Sequence, residues 1–325
     1  MSALTFQALR ALADGRFHSG EEMARSFQRS RATLSEALKR APEMGIELFS
    51  VPGKGYRVAE PIDFLDAAAI SAELARHDKR LRLDVVDEIE STSTRVLQLA
   101  ASGAASGTCI AAEWQSTGRG RRGRAWISRL GGSLTFSMLW RFERGAGHLG
   151  GLSLAVGEAI ARALAECGVP RVQVKWPNDV VVDLRKLAGI LVETSGEIQG
   201  PSVAVIGVGV NYRLSERVLD RIDQPVTDVW QCAEAAPSRS DLLARMLATL
   251  ASSLDAFDRA GFAASREAWR ALHAYQGRRV RVTPGRDAPF DAEVVDVAAD
   301  GALVVSTADG RTIPLASAEI TLRAK

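Results

Sequence analysis

The sequence predicts an α+β protein in three parts: a small helical unit with a hairpin, a larger central mixed sheet under helices, and a small all-β unit at the end. Three observations carry that prediction. Short capped segments with apolar residues at helical spacing fill the chain up to Pro42, and strand-like runs joined by short turns dominate from 85 to 212. After about Arg278, short strands alternate with Gly and Asp turns, the pattern of a small SH3-like β-barrel. A chain of 325 residues is long for one core, and the expected divisions are 1–61, 62–275 and 276–325.

Composition narrows the field. The chain is 46% hydrophobic and 25% charged, with a net charge of only +2, so contact with nucleic acid or membrane would need a local patch rather than a global field. Cys109, Cys167 and Cys232 are odd in number and widely spaced, which predicts neither a disulfide framework nor a structural zinc site. No long uncharged apolar run occurs and no signal-peptide plan opens the chain, so the expected location is cytoplasmic, without a membrane partner.

Taking the elements in order, Leu4, Leu9 and Leu12 mark a first helix that Gly15 stops. Ser19-Gly20-Glu21-Glu22 is a capping-box pattern that starts a second. Ser30 can cap a third, with Leu34, Leu38 and Ala41 inward and Arg31, Thr33, Ser35, Lys39 and Arg40 outward, until Pro42 ends or bends it. Ile46–Phe49 and Tyr56–Val58 then flank a Pro52-Gly53-Lys54-Gly55 turn and make a hairpin. Three short helices and a hairpin describe a winged helix-turn-helix, with the third helix in the major groove of DNA and Lys54 on the wing near phosphate. A small helical dimerisation domain is the competing reading.

Asp63 to Ala75 is an amphipathic helix, and Val85–Ile89 is a strand ending in the polar turn Glu90-Ser91-Thr92-Ser93-Thr94, which can cap the next helix. Strands are expected at Ser133–Trp140, Val172–Trp176, Val180–Val182, Leu187–Val192 and Val203–Val210, with a long Ala-rich helix from Leu152 to Cys167 closed by Gly168. The turns are too short for most crossovers, which favours hairpins and a mixed or antiparallel sheet covered by that helix. Ser240 is expected to cap a further helix ending before Gly261.

The stretch with the most chemistry is Gln115 to Trp126, where Arg119, Arg121, Arg122 and Arg124 interleave with Gly118, Gly120 and Gly123. Glycine allows close approach of a ligand and arginine offers planar forks for carboxylate and phosphate. Such a segment cannot bury an apolar face, so it is expected to stay mobile until an anion folds it down. Its match to the dinucleotide fingerprint lacks the following helix, and no P-loop occurs anywhere in the chain. A solvated basic loop or nonspecific nucleic-acid patch remains the bland alternative. Lys175-Trp176-Pro177-Asn178-Asp179 adds a carboxylate at a tight turn, suited to Mg²⁺ against phosphate oxygens, while Lys186 is a point cation and Asn211 an amide at a strand end. Together they suggest phosphate-rich chemistry.

These pieces resemble the bifunctional biotin–protein ligase and biotin-operon repressor family, in the segments HSGE at 18–21, VPGKGY at 51–56, GRGRRGR at 118–124, KWPND at 175–179, RKLAGILVE at 185–193 and IGVGVN at 206–211. The resemblance implies that biotin and Mg·ATP give biotinyl-5′-AMP, from which a lysine of biotin carboxyl carrier protein takes the biotin. It implies biotin contacts at Ser91, Thr92, Ser93, Gln115, Arg119, Gly120, Arg121 and Lys186. Arg122, Arg124, Trp126, Asn178 and Asn211 are expected to serve ATP and the adenylate, with Asp179 on the metal and Lys186, Arg121 and Asp179 as the catalytic set. Biotin is then both substrate and co-repressor precursor, and the expected partners are carrier protein, operator DNA and, when adenylate is bound, a second copy of the chain. The family commonly reads Ser-Thr-Asn where this chain has Ser91-Thr92-Ser93; serine reaches less far, which leaves that contact water-mediated or lost.

Overall fold

The computed structural model describes residues 2–78, 80–196, 200–284, 288–316 and 320–324. The first unit is built of α1 (Ser2–Ala11), α2 (Gly20–Ser26), α3 (Arg31–Leu38) and the hairpin β1 (Leu48–Val51)–β2 (Gly55–Val58). Ser19 and Ser30 cap as expected, their hydroxyls accepting from the N–H groups of Glu22 and Thr33. α3 ends at Leu38, and Pro42 lies in a separate 3₁₀ turn (Ala41–Met44) that keeps Ala41 inward. The apolar core of this unit, around Phe6, Leu9, Leu34 and Leu38, is completed by Trp114 and Leu130 from the central region. Burial of those two side chains fixes the unit against its neighbour.

The central region begins with α4 (Ala67–His77), later than the expected Asp63, because Asp66 caps the N–H groups of Ala68 and Ala69. Then follow β3 (Arg82–Ile89), α5 (Thr92–Ala101), β4 (Thr108–Gln115), a small hairpin of β5 (Gly118–Arg119) and β6 (Ala125–Trp126), β7 (Ser133–Phe142) and α6 (Leu152–Glu166). β8 (Val172–Lys175), β9 (Asp179–Val182), β10 (Arg185–Gly196) and β11 (Ser202–Asn211) complete the strands, before α7 (Glu216–Leu219), α8 (Val229–Cys232), α9 (Arg239–Ala260) and α10 (Arg266–Leu272). Strand β4 has no counterpart among the expected strands: it is buried on both faces, so its pattern is a continuous run without alternation. The cap of α9 is Ser238, whereas the Ser240 hydroxyl accepts from the backbone N–H of Asp66.

Seven strands form one mixed sheet in the order β3-β4-β7-β11-β10-β9-β8, parallel only between β3 and β4. Helices α4, α6 and α9 cover one face over the main core, and α5 closes part of the other through Val96, Ile110, Leu139 and Val205. A buried ion pair stitches the layers: Arg239 Nη1 lies 2.7 Å from Glu113 Oε2, and Arg239 also donates to the carbonyls of Asp63 and Ser133. Glu113 Oε1 in turn accepts from Leu65 N at 2.7 Å. Both charges are fully buried, so removal of either partner would strand the other in low dielectric.

The terminal unit is a five-stranded antiparallel sheet of β12 (Arg279–Pro284), β13 (Phe290–Val297), β14 (Leu303–Thr307), β15 (Thr312–Leu315) and β16 (Ile320–Ala324), in the order β15-β14-β13-β12-β16. The expected last strand began at Glu319, which lies outside the described residues. Trp176 Nε1 donates to Gly301 O at 3.0 Å, tying this sheet to the turn between β8 and β9. No helix among the described residues is long and apolar enough to cross a membrane.

Candidate active site

A cleft of about 950 Å³ opens where the ends of β3, β4, β10 and β11 meet the arginine hairpin. Every residue expected to touch biotin or nucleotide lines it. The floor depends on glycines in the central strands. Gly189 of β10 and Gly209 of β11 are direct cross-strand partners, and a Cβ on Gly209 would lie 2.3 Å from the Trp126 indole. Only glycine leaves room there for the ring to lie on the sheet. Gly207, two residues along on the same face, leaves similar room for Ser93, whose Oγ would be 2.4 Å from a Cβ.

Lys186 reaches the cleft through an irregularity in the strand. With strict alternation, positions 186 and 189 would face opposite sides of the sheet. The register between β9 and β10 shifts between Lys186 and Ala188, a bulge that brings the Lys186 side chain over Gly189, 3.1 Å from where a Cβ would stand. Its Nζ pairs with Asp179 Oδ1 at 2.8 Å and sits 5.8 Å from the Trp126 ring centroid. The backbone is held by the 225–227 segment, Lys186 N donating to Pro225 O at 2.9 Å and Lys186 O accepting from Thr227 N at 3.0 Å.

The arginine segment folds back on itself. It is a hairpin closed by its own backbone, with Gly120 N donating to Arg124 O at 2.7 Å and Arg124 N to Arg121 O at 3.2 Å. Arg122 and Gly123 both have positive φ, at 56° and 73°, which matches the right-handed twist of flanking strands. Its side chains are already engaged: Arg121 Nη1 donates to Asn178 Oδ1 at 3.1 Å, and Arg119 Nη2 to Glu193 Oε2 at 2.7 Å. Burial, reinforced by the charge of Arg122, holds the Arg121 guanidinium below its ordinary pKa, while Asp179 pulls the other way. A desolvated cation at the cleft wall gains most from an incoming anion.

Beside the base of the hairpin, where Ser116 N and Thr117 N donate to Ile89 O and Glu90 O, the turn after β3 is a cluster of hydroxyls. Gln115 Oε1 accepts from Thr92 N at 2.7 Å, and Ser91 caps α5 by accepting from Thr94 N. Thr92 and Ser93 both hydrogen-bond Ser137 of β7. Asn211, at the end of β11, lines the cleft as well. Its Nδ2 donates to the carbonyls of Lys186 at 3.2 Å and Thr227 at 3.1 Å, which makes it a clamp on the lysine backbone.

Three contributions were invisible in the sequence. Ser137 lies mid-strand in an apolar run, the 221–226 segment walls the cleft without a recognisable motif, and Tyr275 enters from the approach to the terminal sheet. Gly207 and Gly209, spaced by two within one apolar strand, are a signal in the sequence from which the floor could have been found.

In the first unit, Arg31, Thr33, Lys39 and Lys54 are exposed and Ser35 is half-buried. Arg40 is a correction: it does not point outward with them. Its Nη2 lies 2.7 Å from Glu88 Oε1 of β3, and the paired carboxylate holds the guanidinium at the junction between the two units.

Comparison with known proteins agrees with this geometry. Residues 85–211 match the biotin/lipoate A/B protein ligase family, residues 5–57 an HTH domain, and residues 275–323 the biotin protein ligase C terminal domain. The bifunctional ligase/repressor BirA of Salmonella typhimurium is 36% identical over 96% of this chain and 95% of its own, and that of Escherichia coli is 35% identical over the same shares. Among solved structures, biotin protein ligase from Aquifex aeolicus in complex with biotin and ATP superposes with a TM-score of 0.64 at 27% identity, over 75% of this chain and 99% of that one.

Proposed function

This chain belongs to the bifunctional biotin ligase and biotin-operon repressor family, and we propose that the cleft described above is where it makes biotinyl-5′-AMP. The activity is that of a biotin–[acetyl-CoA-carboxylase] ligase joined to a DNA-binding repressor. The observation that carries the site reading is Lys186 Nζ beside Asp179 at 2.8 Å, in a cleft lined by both the hydroxyl turn and the arginines.

In this reading Ser91, Thr92, Ser93 and Gln115 receive the ureido ring, and Lys186 with Arg121 receives the carboxylate. Two anions must meet for the carboxylate oxygen to bond to the α-phosphorus while pyrophosphate leaves. Lys186 and Arg121 offset their repulsion, and Arg122 and Arg124 hold phosphate oxygens. Asn178 orients Arg121, Trp126 packs beneath the mixed anhydride, and the arginine hairpin closes over it and keeps water from it. Among the described residues no three His, Cys, Asp or Glu side chains converge on a metal site. A magnesium ion would therefore rest on Asp179 and substrate phosphates, a donor set it commonly takes, and would supply charge neutralisation. The adenylate then acylates a carrier-protein lysine and releases AMP. Arg31, Thr33, Ser35, Lys39 and Lys54 are the DNA contacts in this reading, the working location is the cytoplasm, and the adenylate-bound form dimerises.

The test is biotin-dependent exchange of labelled pyrophosphate into ATP by the purified protein, with lipoate and octanoate as parallel arms. Exchange with biotin alone is expected. Absence of exchange with biotin would defeat the reading, and preference for octanoate or lipoate would redirect it.

A further inference from the structure

Behind the hydroxyl turn sits Ser137, fully buried on β7 and absent from the cleft wall. Its Oγ lies 2.8 Å from Thr92 Oγ1 and 2.9 Å from Ser93 Oγ, and both of those hydroxyls do line the cleft. Its cross-strand partner is Gly207, the glycine that makes room for Ser93. The three oxygens form a short chain with Ser137 in the middle.

Proton counting decides what such a chain presents. A hydroxyl has one proton to donate and two lone pairs to accept with. Ser137 has two hydrogen-bond neighbours, Thr92 and Ser93, so its proton goes to one of them and it accepts from the other. The neighbour that accepts keeps its own proton for the cleft. The neighbour that donates has spent its proton and offers the cleft only lone pairs. One wall hydroxyl is therefore a donor and the other an acceptor, side by side. That pairing is complementary to a carbonyl adjacent to an N–H, the edge of a cyclic urea or amide.

We propose that Ser137 is a positioning residue that sets substrate specificity, by fixing Thr92 and Ser93 as one donor and one acceptor for the ureido edge. The inference rests on the reading that the hydroxyl turn receives that ring. Ser93 lies within hydrogen-bond reach of Ser137, at 2.9 Å. The short side chain recruits Ser137 and gains direction from it. Without Ser137 the two wall hydroxyls rotate independently, and each loses orientational freedom only on binding.

The test is a steady-state comparison of the Ser137→Ala, Ser137→Thr and Thr92→Ala proteins in biotin-dependent pyrophosphate exchange. Ser137→Ala is expected to raise KM for biotin roughly tenfold, on the scale of a lost buried hydrogen bond or two, with kcat and the KM for ATP within about twofold. Ser137→Thr, which keeps the hydroxyl and can direct its methyl toward Gly207, restores the biotin KM to within about threefold of the parent. A structural defect alone would lower kcat and raise both KM values together, and that pattern overturns the proposal. If the alanine protein does not fold, Ser137→Cys, near-isosteric with a weak donor, is expected to show the same selective rise, and an unchanged biotin KM in it is equally decisive against. An unchanged biotin KM in Ser137→Ala beside a raised one in Thr92→Ala refutes the role of Ser137 and leaves the ureido assignment standing. If neither variant moves it, the ureido assignment itself falls.

Discussion

Lys186 is a single cation whose position depends on its neighbours: the bulge at Leu187 turns it into the cleft, Asn211 clamps its carbonyl, and Asp179 holds its ammonium at 2.8 Å. Its charge is useful only where two anions meet, so its loss should be felt in the reaction and little in folding. We expect Lys186→Ala to lower biotinyl-adenylate synthesis by two to three orders of magnitude, on the scale of roughly 3 kcal/mol for a preorganised electrostatic contact. The thermal unfolding midpoint should move little, because the side chain is at the cleft wall and Asp179 can be rehydrated. Normal adenylation in this variant would remove Lys186 from the catalytic set. Asn211 supports that position through its amide, which donates to two backbone carbonyls, those of Lys186 and Thr227.

Among the elements, the hairpin of β5 and β6 is the one whose state should change with ligand. Its strands are only two residues each, and Arg119 is tethered through an exposed pair with Glu193, which in water contributes little. An adenylate phosphate is a stronger partner for these guanidinium groups than a solvated carboxylate. Limited trypsin cleavage between 119 and 124 should therefore slow severalfold when biotin and ATP are added, read by mass spectrometry of the fragments. Equal rates with and without ligand would mean that the hairpin does not respond. The helix α10 and its connection to the terminal sheet yield a pH prediction. His273 stacks on Trp269 at 4.5 Å, and burial pushes its pKa down to about 4. The native state thus favours the neutral ring while the unfolded chain takes up a proton below about pH 6.5. Stability from this group is present above that pH and is lost as pH falls toward 4, by an amount on the order of 3 kcal/mol. Chemical denaturation at several pH values should show that decline, and His273→Phe, which keeps the stack, should flatten it. An identical pH profile in the variant would assign the decline to other groups.

Across the whole molecule, the DNA-binding unit is joined to the cleft through charge as well as core. Arg40 at the end of α3 pairs with Glu88 at 2.7 Å, and Arg10 of α1 with Asp87 at 2.5 Å. These two carboxylates lie on β3 just before the hydroxyl turn. Arg129 spans the junction as well, donating to Gly45 O at 3.2 Å and to Glu60 Oε2 at 3.0 Å. A single winged helix has few base contacts, so useful specificity requires two half-sites read by a dimer. A ligand that favours the dimer must by linkage favour its DNA complex to the same extent. Operator binding and sedimentation coefficient should therefore shift together on adding biotin and ATP, measured on one preparation. Equal operator affinity with and without ligand would separate the two activities.

The sequence by itself determined the parts. Caps at Ser19 and Ser30, the helix stop before Gly168, and the arginine–glycine segment are local, because capping, glycine conformation and charge act over a few residues. The motifs KWPND and KLAGIL likewise carry Asp179 and Lys186 into the candidate site, since each is a short run legible on its own. The fold alone decided how the parts meet. β4 is hidden in the sequence because both its faces are buried, Ser137 meets Thr92 and Ser93 only because β7 runs beneath the hydroxyl turn, and Arg40 is drawn to Glu88 because β3 lies beside the end of α3. These outcomes depend on which strand lies beside which and on a one-residue shift in register, and such long-range pairings leave no mark on the local pattern of either partner.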